Sequence, residues 1–113
     1  MDLSTSFFRV IRYEDFAKDP TSQSQQMLRF LGFQMHPDVR NFLETHTTRD
    51  MGGVSSTFRD SKSAPYHWKK DLPFDKIAAV QKKCAEAMRL WGYRAYASEA
   101  ELDSVHPVAE LTV

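Results

Sequence analysis

Hydrophobic positions fall in one alternating stretch and three helical ones, with a long aperiodic interval before the last. From Phe7 to Tyr13 (FFRVIRY) apolar side chains occupy both alternating faces, Phe7, Ile11 and Tyr13 on one and Phe8 and Val10 on the other. That pattern predicts a strand covered on both sides, as in a parallel α/β sheet. Glu14 to Lys18 follows as a helical turn. Asp19-Pro20 reads as N-cap and first position of a helix. This helix carries Met27, Leu28, Phe30 and Leu31, and Gly32 stops it. Pro37 opens a second short helix with Val39, Phe42 and Leu43 on one face. A third runs from about Phe74 to Trp91, where Ile77, Val80, Cys84, Ala87, Met88 and Trp91 keep helical spacing and Gly92 ends it. The stripe Ile77, Val80, Met88, Trp91 and the Cys84 thiol are expected in the core.

Between Thr45 and Asp71 no period survives. Gly52-Gly53, Ser55, Ser56, Thr57, Ser61 and Ser63 give this interval the composition of a loop. It also holds Arg49, Phe58, Arg59, Tyr66, His67, Trp68, Lys69 and Lys70, which is rich for a linker. Loops longer than about 15 residues are usually functional or disordered, and this composition favours function.

One strand and three helices make an incomplete inventory. A lone two-faced strand leaves both rows of backbone groups unpaired. Either it pairs with another chain or the sequence is a piece of a larger α/β domain; the second is the expectation.

Composition narrows the classes. At 113 residues and 42% hydrophobic, one domain with a core is expected and wholesale disorder is not. The formal net charge is zero, which excludes a strongly basic nucleic-acid binder. Cys84 is the one cysteine, so no internal disulfide or Cys-rich zinc module can form. No apolar run approaches the roughly 18 residues of a membrane span. Met1 to Ser6 lacks the basic start and apolar stretch of a signal peptide. Residues 98–113 carry Glu99, Glu101, Asp103 and Glu110 with no Lys or Arg. They read as a flexible acidic tail, leaving residues 1–97 mildly basic and suited to an anionic ligand.

The strongest anion site offered by residue type is Ser56, Thr57, Arg59 and Ser61. A phosphate wants a guanidinium fork, hydroxyl donors and free backbone N–H groups, and Gly52-Gly53 lets the chain wrap. The structural alternative is a solvated loop in which Arg59 pairs with Asp60 or another carboxylate. Tyr13, at the C-terminal end of the expected strand, stands where α/β folds bind ligands; alternatively it closes the core. Glu14 and Asp15 are adjacent carboxylates whose side chains do not converge, so Asp15 capping or charging the following turn and Glu14 pairing with a nearby Arg or Lys are preferred over acid–base work. Trp68 with Lys69 and Lys70 either stacks on a ligand or anchors the loop. His36, His46, His67 and His106 show no metal-ligand spacing, and no metal is expected.

The run Val10 to Pro20 (VIRYEDFAKDP) with Met27 to Gly32 (MLRFLG) resembles the "RYEDLxxxP…FLG" segment of sulfotransferases. Thr45-His46-Thr47, Ser56 to Ser61 (STFRDS), Trp68-Lys69, Cys84 to Met88 (CAEAM) and Gly92-Tyr93 follow in the same order. The set resembles the C-terminal third of the carbohydrate 6-O-sulfotransferases, over about residues 8 to 94.

The resemblance implies a P-loop-like α/β domain with a parallel sheet, of which residues 1–97 would be the C-terminal portion. It implies sulfuryl transfer from 3′-phosphoadenosine 5′-phosphosulfate (PAPS) to a sugar hydroxyl, such as the 6-OH of N-acetylglucosamine or galactose, on a glycan or glycoprotein acceptor. It places Tyr13 against the adenine and Ser56, Thr57, Arg59 and Ser61 near the 3′-phosphate. It also implies the lumenal side of the Golgi membrane, through an anchor not found in this sequence. The family's phosphosulfate loop and general base are not recognisable here, so the chain alone is expected to be inactive. The rival reading is a non-catalytic α-rich interaction module built on the helices Pro20–Leu31 and Pro37–His46.

Overall fold

The computed structural model describes residues 7–53 and 56–111; Met1–Ser6, Val54, Ser55, Thr112 and Val113 lie outside the described residues. The chain divides into two compact units, one up to Pro65 and one from Tyr66 on.

Among its described residues the first unit holds three helices and a hairpin. Helix α1 (Tyr13–Lys18) starts with Glu14 and Asp15 in its first turn and ends with Lys18 in its last, the arrangement that complements the helix dipole. Helix α2 (Pro20–Phe30) is capped by Asp19, whose Oδ1 accepts the Ser22 N–H at 3.1 Å. It stops at Gly32, where φ is +82°, and the Phe33 N–H returns to the Leu28 carbonyl at 2.8 Å. Helix α3 (Pro37–His46) is capped by His36, whose Nδ1 accepts the Asp38 N–H. Strands β1 (Thr48–Met51) and β2 (Phe58–Asp60) pair antiparallel, Thr48 opposite Asp60 and Met51 opposite Phe58, with an irregularity between. Helix α1 packs on α2, α2 on α3, and α3 on both strands.

The second unit begins with the single-turn helix α4 (Trp68–Asp71), followed by α5 (Phe74–Lys83) and α6 (Ala85–Leu90). Its core is Ile77, Tyr96 and Leu102, with Trp68, Phe74 and Val105 packed against it. Tyr93 and Val108 form an antiparallel bridge, flanked by Arg94 N–H to the Pro107 carbonyl and Ala109 N–H to the Gly92 carbonyl, both at 2.8 Å.

Several expectations change. Phe7–Arg12 is not a strand. Arg12 has extended dihedrals, but among the described residues the sheet is the antiparallel β1–β2 pair, and a strand needs partners to be one. The mixed helix and strand content agrees with an α/β class at that coarse level, while the expected main strand is not among the strands of the described residues. The interval 45–71 contains the hairpin, a 3₁₀ turn at Ala64–Tyr66 and α4 rather than loop alone.

The expected helix Phe74–Trp91 is two helices, because the backbone leaves helical geometry at Cys84 (φ −107°, ψ 15°). Ile77 is buried, whereas Val80 and Trp91 are 55% and 43% exposed and the Cys84 thiol is exposed, not a core thiol. The segment from Ser98 through Leu111 is not a frayed tail. It forms a 3₁₀ turn at Glu99–Glu101, buries Leu102 and Pro107, and pairs back at Val108. Its apolar positions, Leu102, Val105 and Pro107, are too irregularly spaced to show a period, yet Leu102 and Val105 meet Ile77 and Tyr96 once the chain folds back.

Candidate functional site

The four residues expected to bind an anion all lie on the β1–β2 hairpin or next to it. Gly52 makes the turn with φ +78°, and a Cβ there would stand 3.2 Å from the Ser56 Cβ, so only glycine fits. The Ser56 N–H donates to the Gly53 carbonyl at 2.9 Å, and the Ser56 hydroxyl accepts the Phe58 N–H at 3.1 Å. Thr57 is exposed at the outer end of the loop, while Ser56, Arg59 and Ser61 are half-buried. The Ser61 N–H donates to the Thr47 carbonyl at 2.9 Å, closing the base of the hairpin onto the end of α3.

Arg59 turns its guanidinium onto its own loop. Nη1 donates to the Phe58 carbonyl at 2.6 Å and Nη2 reaches the Gly53 carbonyl at 3.4 Å. This holds a full positive charge beside the Ser56 and Thr57 segment. Asp60 is tied elsewhere: its N–H donates to Asp50 Oδ1 at 3.2 Å and its carboxylate accepts the Ser63 hydroxyl at 2.8 Å. The hairpin therefore has a guanidinium and three hydroxyls on one short segment, a donor set matched to a phosphate or sulfate.

Tyr13 is the first residue of α1 and 60% exposed, so it does not close the core. The residue before it is anchored: the Arg12 side chain is 3% exposed and forks onto Asp15, Nε to Oδ2 at 2.7 Å and Nη2 to Oδ1 at 3.3 Å. Asp15 thus takes the ion pair expected of Glu14, while both carboxylates stand in the first turn of α1. The packing series α1 on α2, α2 on α3, α3 on the hairpin puts Tyr13 and Arg59 on elements at opposite ends of that series.

In the second unit Trp68 meets Tyr96 edge-on, ring centroids 6.1 Å apart, and packs on the core, which is the anchoring role. Lys69 is not simply solvated: its Nζ lies 5.6 Å from the Tyr66 ring centroid and 5.9 Å from that of Tyr96. Burial pushes the Tyr96 phenol up from its ordinary pKa. On α6 the Arg89 guanidinium at 2.7 Å draws the Glu86 carboxyl down. Among the described residues no cluster of His, Cys, Asp and Glu could hold a metal ion, and no helix is long and apolar enough to cross a membrane.

Sequence reasoning missed His46. Its ring stacks between Phe42 and Phe58, with centroids 4.1 and 4.0 Å away and planes inclined by 15° and 19°. The i, i+4 spacing of Phe42 and His46 on a helix was the available signal.

Against known proteins, no family model and no solved structure matches. Among curated proteins the chain is similar to human carbohydrate sulfotransferase 3, 34% identical over 89 residues, covering 77% of this chain and 19% of that protein. It is also similar to mouse carbohydrate sulfotransferase 5, 34% identical over 99 residues (83% of this chain, 25% of the relative). With mouse carbohydrate sulfotransferase 1 it shares 30% identity over 98 residues (84% and 24%). The chain therefore spans about a fifth to a quarter of the length of these relatives. Identity of 34% over 77% and 83% of its length shows that the chain belongs to the carbohydrate sulfotransferase family.

Proposed function

We propose that this chain is the C-terminal portion of an enzyme that moves a sulfuryl group from PAPS to a sugar hydroxyl of a glycan or glycoprotein, the 6-OH of N-acetylglucosamine or galactose. The observation that carries the reading is the 34% identity to carbohydrate sulfotransferases 3 and 5 over 77% and 83% of the chain. In this reading the hydroxyl oxygen attacks sulfur in line and its proton passes to a base outside these residues. The bond from sulfur to the bridging oxygen breaks, and 3′-phosphoadenosine 5′-phosphate leaves. Ser56, Thr57, Arg59 and Ser61 bind the 3′-phosphate, Tyr13 lies against the adenine, and no metal takes part. In the whole enzyme, strands supplied by the rest of the protein make Phe7–Arg12, which is no strand in this chain, part of the parallel sheet of a P-loop-like domain. The enzyme works on the lumenal side of the Golgi membrane.

Support within the molecule is the hairpin's donor set, with Arg59 held beside Ser56 by its bonds to Phe58 and Gly53. The 113-residue chain alone is expected to show no transfer, since it spans about a fifth to a quarter of its relatives.

The test replaces the matching stretch of human carbohydrate sulfotransferase 3 with this chain and measures sulfuryl transfer from PAPS and binding of 3′-phosphoadenosine 5′-phosphate. The chimera is expected to transfer. In it, Arg59→Ala should weaken the nucleotide by roughly 10- to 150-fold, the value of a charge-assisted hydrogen bond of about 1.5–3 kcal/mol. The loss should be much smaller for the nucleotide lacking its 3′-phosphate. Arg59→Lys should recover only part, and Lys62→Ala should change little. A folded chimera without transfer overturns the enzyme reading, and equal losses for both nucleotides remove Arg59 from the phosphate site.

A further inference from the structure

We infer that His46 is a positioning residue, the middle ring of a three-ring stack that holds strand β2, and with it Arg59, on helix α3. His46 is the last residue of α3, where a helix frays unless something fixes it. Here the ring is fixed twice. Its Nδ1 lies 3.1 Å from the Phe42 carbonyl, which can only accept, and 2.8 Å from the Thr45 hydroxyl, which itself lies 2.8 Å from the Asn41 carbonyl and 3.2 Å from that of Phe42. That network assigns the proton to Nδ1, which donates back into the helix. Its two faces are covered by Phe42, one turn earlier, and Phe58, from the far strand of the hairpin.

Phe58 passes this restraint to Arg59. All three of its groups are engaged: the ring on His46, the N–H on the Ser56 hydroxyl, and the carbonyl under the Arg59 guanidinium. Strand β2 is three residues long and its ladder to β1 is irregular, so backbone pairing alone gives it little support. Each stacked pair is worth roughly a 2- to 13-fold equilibrium factor, and the stack contains two. Its use in nucleotide binding rests on the function proposed above; the positioning itself does not.

Amide hydrogen exchange on the 113-residue chain tests this. The Ser61 amide, bonded to the Thr47 carbonyl, and the Asp60 amide, bonded to Asp50, report the hairpin. The Gln23 amide, bonded to the Asp19 carbonyl, reports α2 as the control. His46→Ala should speed exchange at Ser61 and Asp60 by roughly 2- to 13-fold, the value of the one stack that joins α3 to β2, and leave Gln23 unchanged. His46→Phe, which keeps the stack and loses only the Nδ1 bond, should restore most of the protection. Phe58→Leu keeps apolar bulk without a ring and should loosen the same two amides, which decides the matter if His46→Ala unfolds the unit. Unchanged exchange at Ser61 and Asp60 in both His46→Ala and Phe58→Leu overturns the inference. In the chimera, a hairpin loosened by His46→Ala with unchanged nucleotide affinity would keep the positioning role and sink the phosphate role of Arg59.

Discussion

The side-chain amide of Gln81 and the backbone of Tyr96 join in a closed pair of hydrogen bonds. Gln81 Nε2 donates to the Tyr96 carbonyl at 3.0 Å, and the Tyr96 N–H donates to Gln81 Oε1 at 2.7 Å. The amide thus acts as a one-residue strand partner, satisfying both backbone groups of a residue in the core of the second unit. Gln81→Leu removes both bonds and leaves a half-buried N–H and C=O without them. The expected cost is about 1–3 kcal/mol of stability, read by denaturant unfolding. Gln81→Glu keeps the acceptor for the Tyr96 N–H but sets a carboxylate against its carbonyl, so it should be destabilised at neutral pH and recover as the carboxyl is protonated. Stability of both variants equal to the parent protein would show that the pair contributes nothing.

Tyr96 carries a second signature. Its hydroxyl donates to the Val105 carbonyl at 2.7 Å, and burial pushes the phenol's pKa up. A folded-state pKa above the unfolded one means that the folded state holds its proton more tightly. The contribution is full below the unfolded value of about 10 and is lost as pH rises through the folded value. The second unit should therefore lose stability at alkaline pH. Tyr96→Phe should be less stable at neutral pH by about 1 kcal/mol, the value of one hydrogen bond, and should lack Tyr96's share of the alkaline loss. Thermal melts of both proteins from pH 7 to 11 check this; parallel pH profiles would contradict it.

At the start of α1, the Arg12–Asp15 fork holds a guanidinium that is 3% exposed against a carboxylate that is 41% exposed. Asp15→Ala removes two charge-assisted bonds from a buried cation and should cost about 1.5–3 kcal/mol, less than a fully desolvated pair because water reaches Asp15. Glu14→Ala, on the adjacent residue, measures the cost of removing a first-turn carboxylate without touching this fork. Equal destabilisation by the two substitutions, measured by urea unfolding, would mean that the fork has no special weight.

What could be read in the amino-acid sequence was local in origin. Asp19 caps α2, Pro20 and Pro37 open their helices, and Gly32 and Gly92 end theirs with positive φ and a return bond from the next residue. Each of these depends on partners within about five residues, so the sequence already contains the whole interaction. Membership of the sulfotransferase family was also legible, because ordered motifs survive without any knowledge of their contacts.

Distant partners decided the rest. Phe7–Arg12 has the composition of a strand, but a strand exists only through another strand's backbone groups. The residues Ser98 to Leu111 look like an acidic tail until Leu102 and Val105 are set against Ile77 and Tyr96. Cys84 keeps helical spacing with Ile77, yet the helix ends at Cys84, and the thiol, Val80 before it and Trp91 after it are all exposed. The hairpin and its His46 stack required Phe58 to return beside α3, a contact 12 residues apart that no local pattern encodes. Burial is a property of what the chain brings together, and in this protein Ile77 meets its buried partners Tyr96 and Leu102 about 19 and 25 residues further along, which periodicity within one segment cannot show.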